Sequence, residues 1–252
     1  MSAGGAGDRA VGIDIGGTKI AVATVSAADG IVREATIPTD SERGIASGVS
    51  RIAETLRRLL DQSGWRARDL QGIGIGCAGP VDRARGTILN PHTLPGWEDG
   101  DIVTPLREAF GCPVRLENDA DMAVLGECHA GAGRGFDPVV MLTIGTAAAR
   151  GLGDARRLFA RAREREPAAE GILRDALSAM ARGTWTIAHT LLPERLILGG
   201  GLMDEHYEVF AAAAEDAIAR AVVVPRERMS VARASLGNRA GVLGAARAVM
   251  SP

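Results

Sequence analysis

Several stretches of the sequence combine the residue types that bind and transfer a phosphate group. The first runs from Asp14 to Lys19 and consists of a carboxylate, an isoleucine, two glycines, a threonine and a lysine. Glycine lets the backbone turn tightly and approach a ligand, and successive amide groups in such a turn can bind an anion. Thr18 adds a hydroxyl donor and Lys19 a cation, while the Asp14 carboxylate could hold Mg²⁺ directly or through water. An ordinary β-hairpin turn explains the two glycines about equally well, so this stretch alone does not distinguish a phosphate-binding turn from a structural one.

Two further glycine turns each follow an apolar run. Gly145 and Thr146 follow the run 139–144, and Gly199–Gly201 follow Leu196–Leu198. The segments VGIDIGGT and VMLTIGT also share one layout, an apolar strand that ends in isoleucine, glycine and threonine. This similarity predicts a duplicated domain with a ligand held between the two halves. Glycine turns at several strand ends are what a split nucleotide site needs.

Acidic residues are concentrated in Glu117–Asp121, between a predicted strand and a predicted helix. Asp119 is a candidate general base that accepts a hydroxyl proton during phosphoryl transfer, and Asn118 could hydrogen-bond the same substrate. The alternative for Asp119 is an N-cap, since a carboxylate at a helix start commonly has that role. Asp121 is interpreted as an exposed first-turn carboxylate that the helix dipole favours.

The loop 86–97, GTILNPHTLPGW, mixes polar donors with an aromatic side chain, a combination that suits a sugar. Its candidate ligands are Asn90, His92, Thr93 and Trp97. A structural turn stiffened by two prolines explains the composition equally well.

Hydrophobic periodicity places these stretches on strands and helices. Alternating apolar residues predict a strand hairpin at the start of the chain, and apolar residues spaced by three and four predict helices. A hairpin followed by alternating helices and strands predicts an α/β fold, with a long functional loop at 80–105. The predicted strands are 11–15, 20–25, 31–37, 73–75, 113–117, 139–144, 196–198 and 229–233. The predicted helices are 45–59, 120–130, 152–164, 170–191, 203–221 and 239–250.

Composition argues against several classes of protein. The chain has 252 residues, of which 46% are hydrophobic and 24% charged, and its formal net charge of −2 is unlike that of a general nucleic-acid binder. The three cysteines form no CxxC pair, which argues against a disulfide framework or a cysteine-based zinc cluster. No apolar run reaches the ~18 residues that span a bilayer, and the N-terminus has no apolar signal region. We therefore expect a cytoplasmic protein with no nucleic-acid or membrane partner.

A series of distinctive motifs extends over residues 10–249. In chain order they are VGIDIGGTKIAVATV, GIGIGCAGPVD, NPHTLPGWE, RLENDADMAVLGE, LTIGT, LPERLILGGGLM and LGNRAGVLGAA. Together they resemble the ROK family of bacterial glucokinase-like sugar kinases and related repressors. The resemblance implies an actin-like ATPase (ribonuclease H-like) fold, with two related domains and a cleft between them. We place the first domain at 1–117, the second at 118–237, and the C-terminal helix 238–252 back on the first domain.

The resemblance also implies ATP- and Mg²⁺-dependent phosphorylation of a hexose such as glucose, and a homodimer. Asp119 would be the general base for in-line transfer, and Asp14 would be a candidate Mg²⁺ ligand. The implied nucleotide-binding residues are Asp14, Gly16, Gly17, Thr18 and Lys19 in a first phosphate loop, Gly145 and Thr146 in a second, and Gly199, Gly200 and Gly201 facing the adenosine. The implied sugar-binding residues are Asn90, Asn118 and Asp119.

The sequence departs from the family pattern after Thr146. The family continues with a glycine-rich stretch, two further strands, sugar-binding residues and a His/Cys zinc motif, whereas this chain continues with Ala147–Ala149 and passes into a helix. We therefore expect a shortened second domain, an incomplete second phosphate loop and no zinc site. The alternative to an active sugar kinase is a catalytically impaired protein that still binds nucleotide or sugar. A repressor is disfavoured, since about ten residues precede the first strand and a DNA-binding domain needs more.

Overall fold

The computed structural model describes residues 8–144 and 155–250. The chain divides into two compact units. The first comprises Met1–Gly131 together with Asn238–Pro252, and the second comprises Ala132–Gly237. The first unit thus extends beyond Glu117, where the sequence analysis placed its boundary.

Strands and helices alternate along the described residues. The strands are β1 (Arg9–Ile15), β2 (Lys19–Ser26), β3 (Gly30–Pro38), β4 (Gly72–Cys77), β5 (Val81–Asp82), β6 (Thr87–Ile88), β7 (Gly100–Asp101), β8 (Val114–Asn118), β9 (Val139–Thr143), β10 (Arg195–Gly199) and β11 (Ser230–Arg233). The helices are α1 (Ile45–Ser63), α2 (Val103–Phe110), α3 (Asp119–Ala130), α4 (Ala155–Arg163), α5 (Pro167–Leu191), α6 (Met203–Ala219) and α7 (Ala240–Arg247).

A five-stranded sheet of order β3-β2-β1-β4-β8 forms the centre of the first unit. β1 pairs antiparallel with β2, as the predicted hairpin requires, and parallel with β4, which in turn pairs parallel with β8. Alternating apolar residues such as Ile13 and Ile75 are fully buried in a core that includes Ile52, Leu56 and Leu59 of α1. The periodicity of α1 in the sequence therefore identified its buried face correctly.

The C-terminal helix α7 packs against glycines in β1 and β4. A Cβ atom at Gly12 would lie 1.8 Å from the carbonyl oxygen of Val242, and one at Gly74 would lie 1.7 Å from that of Ala245. Both approaches are shorter than any real Cβ contact, so α7 can pack here only because these two positions lack a side chain. This packing explains why the C-terminal segment belongs to the first unit.

Helix α3 packs directly on α7. A Cβ atom at Gly244 would lie 1.7 Å from the carbonyl oxygen of Met122, and one at Gly126 would lie 2.2 Å from that of Ala240. Because this close packing joins α3 to α7, α3 belongs to the first unit rather than to the second, where the sequence analysis had placed it.

The predicted loop 80–105 is more ordered than its composition suggested. It contains the short strands β5, β6 and β7, and its last residues begin α2, which the sequence analysis missed. Trp97 is fully buried, and a Cβ atom at Gly48 of α1 would lie 2.1 Å from its ring. Trp97 is therefore a core residue, so of the two interpretations of this aromatic side chain the structural one is correct.

The second unit contains a parallel three-stranded sheet of order β11-β10-β9. Its apolar cluster includes Leu196 and Leu198 of β10, Met180 of α5, and Phe210 of α6. Among the described residues, no helix is both long and apolar enough to cross a bilayer.

Candidate active site

Two carboxylates meet at the carboxyl edge of the sheet in the first unit. Asp14 lies near the end of β1 and is paired with Gly76 of β4, while Asn118 ends β8 and is paired with Cys77 of β4. Asp119 follows as the first residue of α3. Ligands commonly bind at this edge of a parallel sheet, because loops and helix N-termini converge there. The structure thus brings together two acidic residues that are far apart in the sequence.

The Asp14 carboxylate lies in an environment that disfavours its charge. Burial, and to a lesser extent the negative charge of Asp119, raise its pKa to about 6, although the positive charge of Lys19 partly counteracts both effects. Its side chain has no hydrogen-bond partner within residues 8–144 and 155–250. An incompletely solvated carboxylate beside a second one is electrostatically suited to a cation.

Cys77 ends β4, the strand between those that carry Asp14 and Asn118, and it was not singled out from the sequence. The side chain is fully buried, and burial together with Asp119 and Asp14 raises the pKa of its thiol to about 12. The thiol is therefore neutral at physiological pH and packs as a small apolar side chain in the core of the first unit. Its position was readable only from the parallel pairing of β1, β4 and β8.

The turn Gly16–Lys19 is closed and braced from one side. The Gly16 amide donates to the carbonyl of Lys19 at 3.0 Å. The Thr39 hydroxyl donates to the carbonyl of Gly16 at 2.7 Å, and the Thr39 amide donates to that of Thr18 at 3.1 Å. Thr18 and Lys19 are exposed, so their side chains are accessible to a ligand.

Gly17 brings this turn against the loop 86–97. A Cβ atom at Gly17 would lie 2.9 Å from the Thr93 methyl group and 3.1 Å from the Thr93 carbonyl oxygen. The second glycine of the motif is therefore required by a close approach of two loops, whereas a Cβ atom at Gly16 would make only an ordinary contact with Lys19. The sequence could not show which glycine was essential.

Asn90 is buried, and its side-chain amide is used within the protein. Its nitrogen donates to the carbonyls of Ala78 and Gly79 at 3.3 and 2.7 Å, and its oxygen accepts from the amides of His92 and Thr93 at 3.0 and 2.9 Å. Asn90 therefore links the residues after β4 to the 90–97 segment through its side-chain hydrogen bonds. His92 and Thr93 themselves are exposed.

The cap of α3 is Asn118 rather than Asp119. The Asn118 side-chain oxygen accepts from the amides of Ala120 and Asp121 at 2.9 and 3.4 Å, while its nitrogen lies against Gly79. Asp119 accepts one hydrogen bond, from the Ala120 amide at 2.9 Å, and is partly exposed. Because the capping role belongs to its neighbour, the Asp119 carboxylate keeps acceptor capacity for a ligand.

A cavity of about 280 Å³ borders the Gly16–Lys19 turn within the first unit. Asp14 and Lys19 line one side, and Asn238 and Arg239 at the start of α7 line another. Arg239 forms a two-point ion pair there with Glu34, with its Nε 3.2 Å from one carboxylate oxygen. Glu34, Asn238 and Arg239 were not singled out from the sequence, although the last two lie within the motif LGNRAGVLGAA.

The second unit contains the third predicted glycine turn. Gly199 ends β10 opposite Thr143 of β9, and its carbonyl accepts from the Ile144 amide at 2.8 Å. Gly200 has a φ of +95°, and a Cβ atom there would lie 2.5 Å from the carbonyl oxygen of Ile144. A Cβ atom at Gly201 would meet nothing within 4 Å. Gly145 and Thr146, the predicted second phosphate loop, lie outside the described residues.

An open hollow of about 690 Å³ lies among α4, α5 and α6 of the second unit. Phe159 and His206 stack in its wall with ring centroids 3.5 Å apart, and Leu173, Leu177 and Val209 add apolar surface. This mixture of aromatic and aliphatic surface is typical of sites for small organic molecules.

A metal-binding cluster of three or more His, Cys, Asp or Glu side chains is not found in the described part of the chain. The pair formed by Asp14 and Asp119 is the arrangement to consider, because Mg²⁺ is commonly held by one or two carboxylates together with substrate phosphates.

Comparison with known proteins matches the family model "ROK family" to residues 10–153 and 149–251. A glucokinase from Thermotoga maritima is 37% identical over 138 residues, which is 55% of this chain and 42% of that protein. A glucokinase from Halalkalibacterium halodurans is 36% identical over 142 residues, which is 56% of this chain and 43% of that protein. The chain therefore spans less than half the length of these curated relatives.

Solved structures resemble the whole chain. A ROK hexokinase from Thermus thermophilus superposes with a TM-score of 0.80 at 27% identity, over 94% of this chain and 96% of that one. A ROK glucokinase from Streptomyces griseus, solved with glucose and AMPPNP, gives a TM-score of 0.69 at 24% identity, over 95% and 98% of the two chains. The predicted α/β, actin-like ATPase fold is thereby confirmed. The family model covers nearly the entire chain in the order of its motifs, and the protein belongs to the ROK family.

Proposed function

We propose that this protein is a sugar kinase that transfers the γ-phosphoryl group of ATP to a hydroxyl of a glucose-like hexose. The observation that carries the proposal is the pair Asp14 and Asp119 at one sheet edge, beside the exposed end of the Gly16–Lys19 turn. The relatives named glucokinase and the ROK hexokinase fold support the choice of a sugar as phosphoryl acceptor.

Asp119 is the proposed general base. Its carboxylate is partly exposed and accepts a single backbone hydrogen bond, so it can accept the proton of a sugar hydroxyl as that oxygen attacks phosphorus. Asn118, which caps the same helix, and the loop tied down by Asn90 are the proposed neighbours of the sugar. For Asn90 we propose a supporting role in holding Thr93 and His92 in place.

The phosphates are proposed to lie at the Gly16–Lys19 turn. Its exposed Thr18 hydroxyl and Lys19 ammonium can donate to phosphate oxygens, while Thr39 holds the turn in shape. Asp14 is the proposed Mg²⁺ ligand, since its unpaired carboxylate next to Asp119 fits a divalent cation. Mg²⁺, when bound, would neutralise the charge that develops on the phosphates.

The second unit is proposed to bind the adenosine. Gly199, Gly200 and Gly201 form a turn without side chains, and α6 begins two residues after its last glycine. The hollow of about 690 Å³ along α6 is large enough for a planar base and has Phe159 and His206 in its wall, beside charged side chains such as Glu205. Gly145 and Thr146 keep their predicted role in the second phosphate loop.

A catalytically impaired binding protein is the second candidate. It is favoured by the two-part match of the family model, whose parts meet at residues 149–153, where the sequence analysis placed a missing segment. A sugar held by too few groups loses the positioning on which phosphoryl transfer depends. A homodimer, expected from the resemblance, is testable by sedimentation of the purified protein.

The test is release of ADP from Mg-ATP with a panel of hexoses and N-acetylhexosamines. We expect turnover with a glucose-like sugar, and Asp119→Asn should lower kcat by about 10²–10⁴-fold because the hydroxyl proton then has no acceptor. Asp61→Asn, which alters an exposed carboxylate on α1, is the matched control and should keep full activity. Undiminished turnover in Asp119→Asn would contradict its role. Absence of turnover from folded wild-type protein, with AMPPNP still bound, would favour the second candidate.

A further inference from the structure

One arginine contacts both sides of the turn that carries Asp119. Its guanidinium Nε forms an ion pair with Glu117 near the end of β8, and its terminal nitrogen lies 2.7 Å from a carboxylate oxygen of Asp121 in the first turn of α3. This arginine is Arg83, which belongs to the segment between β5 and β6. The three residues between its two partners include Asn118, which caps α3, and Asp119.

Glu117 is the buried one of the two carboxylates that Arg83 contacts. It is 5% exposed, and a buried carboxylate needs charged partners to offset its loss of hydration. Arg115 provides one of these partners, with its Nε 2.7 Å from the second carboxylate oxygen of Glu117. Arg115 belongs to the same strand as Glu117 and has no ion pair with α3 among the described contacts, so it cannot replace the link that Arg83 makes.

The segment that carries Arg83 is itself held in place. The Asp82 carboxylate accepts from the amides of Ala84 and Arg85, both at 3.0 Å, which fixes the turn between β5 and β6. The other end of this hairpin leads to Asn90, which is tied to Ala78 and Gly79. Arg83 therefore extends from a defined turn, and its two contacts join that turn to β8 and to α3.

We propose that Arg83 is a positioning residue for phosphoryl transfer, because it holds Glu117 and Asp121 at a fixed separation and thereby fixes the direction of the Asp119 carboxylate. The inference rests on the proposed function of Asp119 as the base. A planar guanidinium suits this role, since its nitrogen atoms can contact two carboxylates at once in a fixed geometry. A lysine at this position would supply the charge but only a single point of attachment.

The kinetic test compares Arg83→Gln, Arg83→Lys and the matched control Arg85→Gln. Arg85 is exposed, lies two residues further along the same turn and has no ion pair among the described contacts. We expect Arg83→Gln to lower kcat about tenfold while KM for ATP stays unchanged, because small misplacements of a reacting group reduce the rate of chemistry. Arg83→Lys should recover part of the loss, and Arg85→Gln should behave as wild type. Unchanged kcat in Arg83→Gln, or an equal loss in Arg85→Gln, overturns the proposal.

A second measurement does not depend on activity. The Ala120 and Asp121 amides donate to the Asn118 side chain, so their hydrogen exchange reports on the geometry of this turn. We expect faster exchange at these two amides in Arg83→Gln and no change in Arg85→Gln. If wild-type protein phosphorylates no hexose, the proposed function fails, and hydrogen exchange alone tests whether Arg83 holds this turn in place. Unchanged protection of the two amides in Arg83→Gln would then show that it does not. Faster exchange with unchanged kcat in an active enzyme also overturns the proposal, since the contact is then structural only.

Discussion

A central strand of the first unit and an edge strand of the second unit bury their residues to different extents. All six residues of β4 in the first unit are buried, whereas in β9 of the second unit four residues are partly buried and the fifth is exposed. β4 lies inside a five-stranded sheet and receives α7 directly on its glycines, while β9 is at the edge of a three-stranded sheet. The first unit thus has no room for added atoms where α7 meets its sheet, whereas the second unit has glycines, Gly183 and Gly201, at which a Cβ atom would meet nothing within 4 Å.

The largest expected effect on stability follows from Gly74→Ala. The new methyl group would lie 1.7 Å from the Ala245 carbonyl oxygen, so α7 must move away, and we expect a loss of about 3 kcal/mol or more in the free energy of unfolding. Gly201→Ala in the second unit, where a Cβ atom meets nothing within 4 Å, should leave the free energy nearly unchanged. Urea denaturation of both variants tests this contrast, and equal stabilities would contradict the comparison.

The second prediction concerns the charge buried at the edge of the first sheet. The pKa of Asp14 is raised from 3.8 to about 6, so the folded state binds its proton more tightly and loses stability as pH rises from about 4 through 6. Asp14→Asn removes this cost and should stabilise the protein by up to about 3 kcal/mol at pH 8, with little effect at pH 3. Activity should be lost at the same time, because Asp14 is the proposed cation ligand.

Denaturation of Asp14→Asn at pH 3 and pH 8, alongside wild type, provides the test. Asp61→Asn serves again as the control, since its carboxylate is exposed on α1 and its replacement should change the stability only slightly. A stability difference that does not grow between pH 3 and pH 8 would show that the Asp14 carboxylate is better solvated than its position indicates.

A smaller gain in stability is expected in the second unit. Gly183 is an exposed residue within α5, and a Cβ atom there would meet nothing within 4 Å. Gly183→Ala should therefore stabilise the protein by about 0.5–1 kcal/mol, because alanine loses less backbone entropy in a helix. A rise in the thermal midpoint, measured by circular dichroism, is the expected result, and a fall would mean that this face of α5 is covered.

The sequence predicted most of the regular structure. The hairpin of β1 and β2, the amphipathic helix α1 and the parallel strands that follow were all recognisable from the period of their apolar residues. Helix α2 was missed because Val103–Phe110 is short and follows a region rich in proline, glycine and aspartate, whose composition suggested a loop. Short elements depend on tertiary packing, in this case on burial of Leu106 and Phe110, more than on local pattern.

The candidate site was predicted in part. The sequence singled out Asp14, Asp119 and the glycine turns, because their residue types indicate phosphate chemistry. It did not single out Cys77, Arg83 or Glu34, whose types are common everywhere and whose roles come from neighbours distant in the sequence. Asn90 was a predicted sugar ligand, and the structure adds its four internal hydrogen bonds, which no pattern in the sequence indicated.

The sequence by itself determined the α/β class, the order of the elements, the family and the identity of the acidic and glycine-rich segments. Those properties depend on local periodicity and on residue types, both of which are present in a single chain segment. Tertiary structure alone decided that α3 packs in the first unit, that Gly12 and Gly74 are needed where α7 meets the sheet, and that Arg83 bridges Glu117 and Asp121. These features depend on which distant surfaces come within contact distance, and such long-range contacts leave no periodic signal in the sequence.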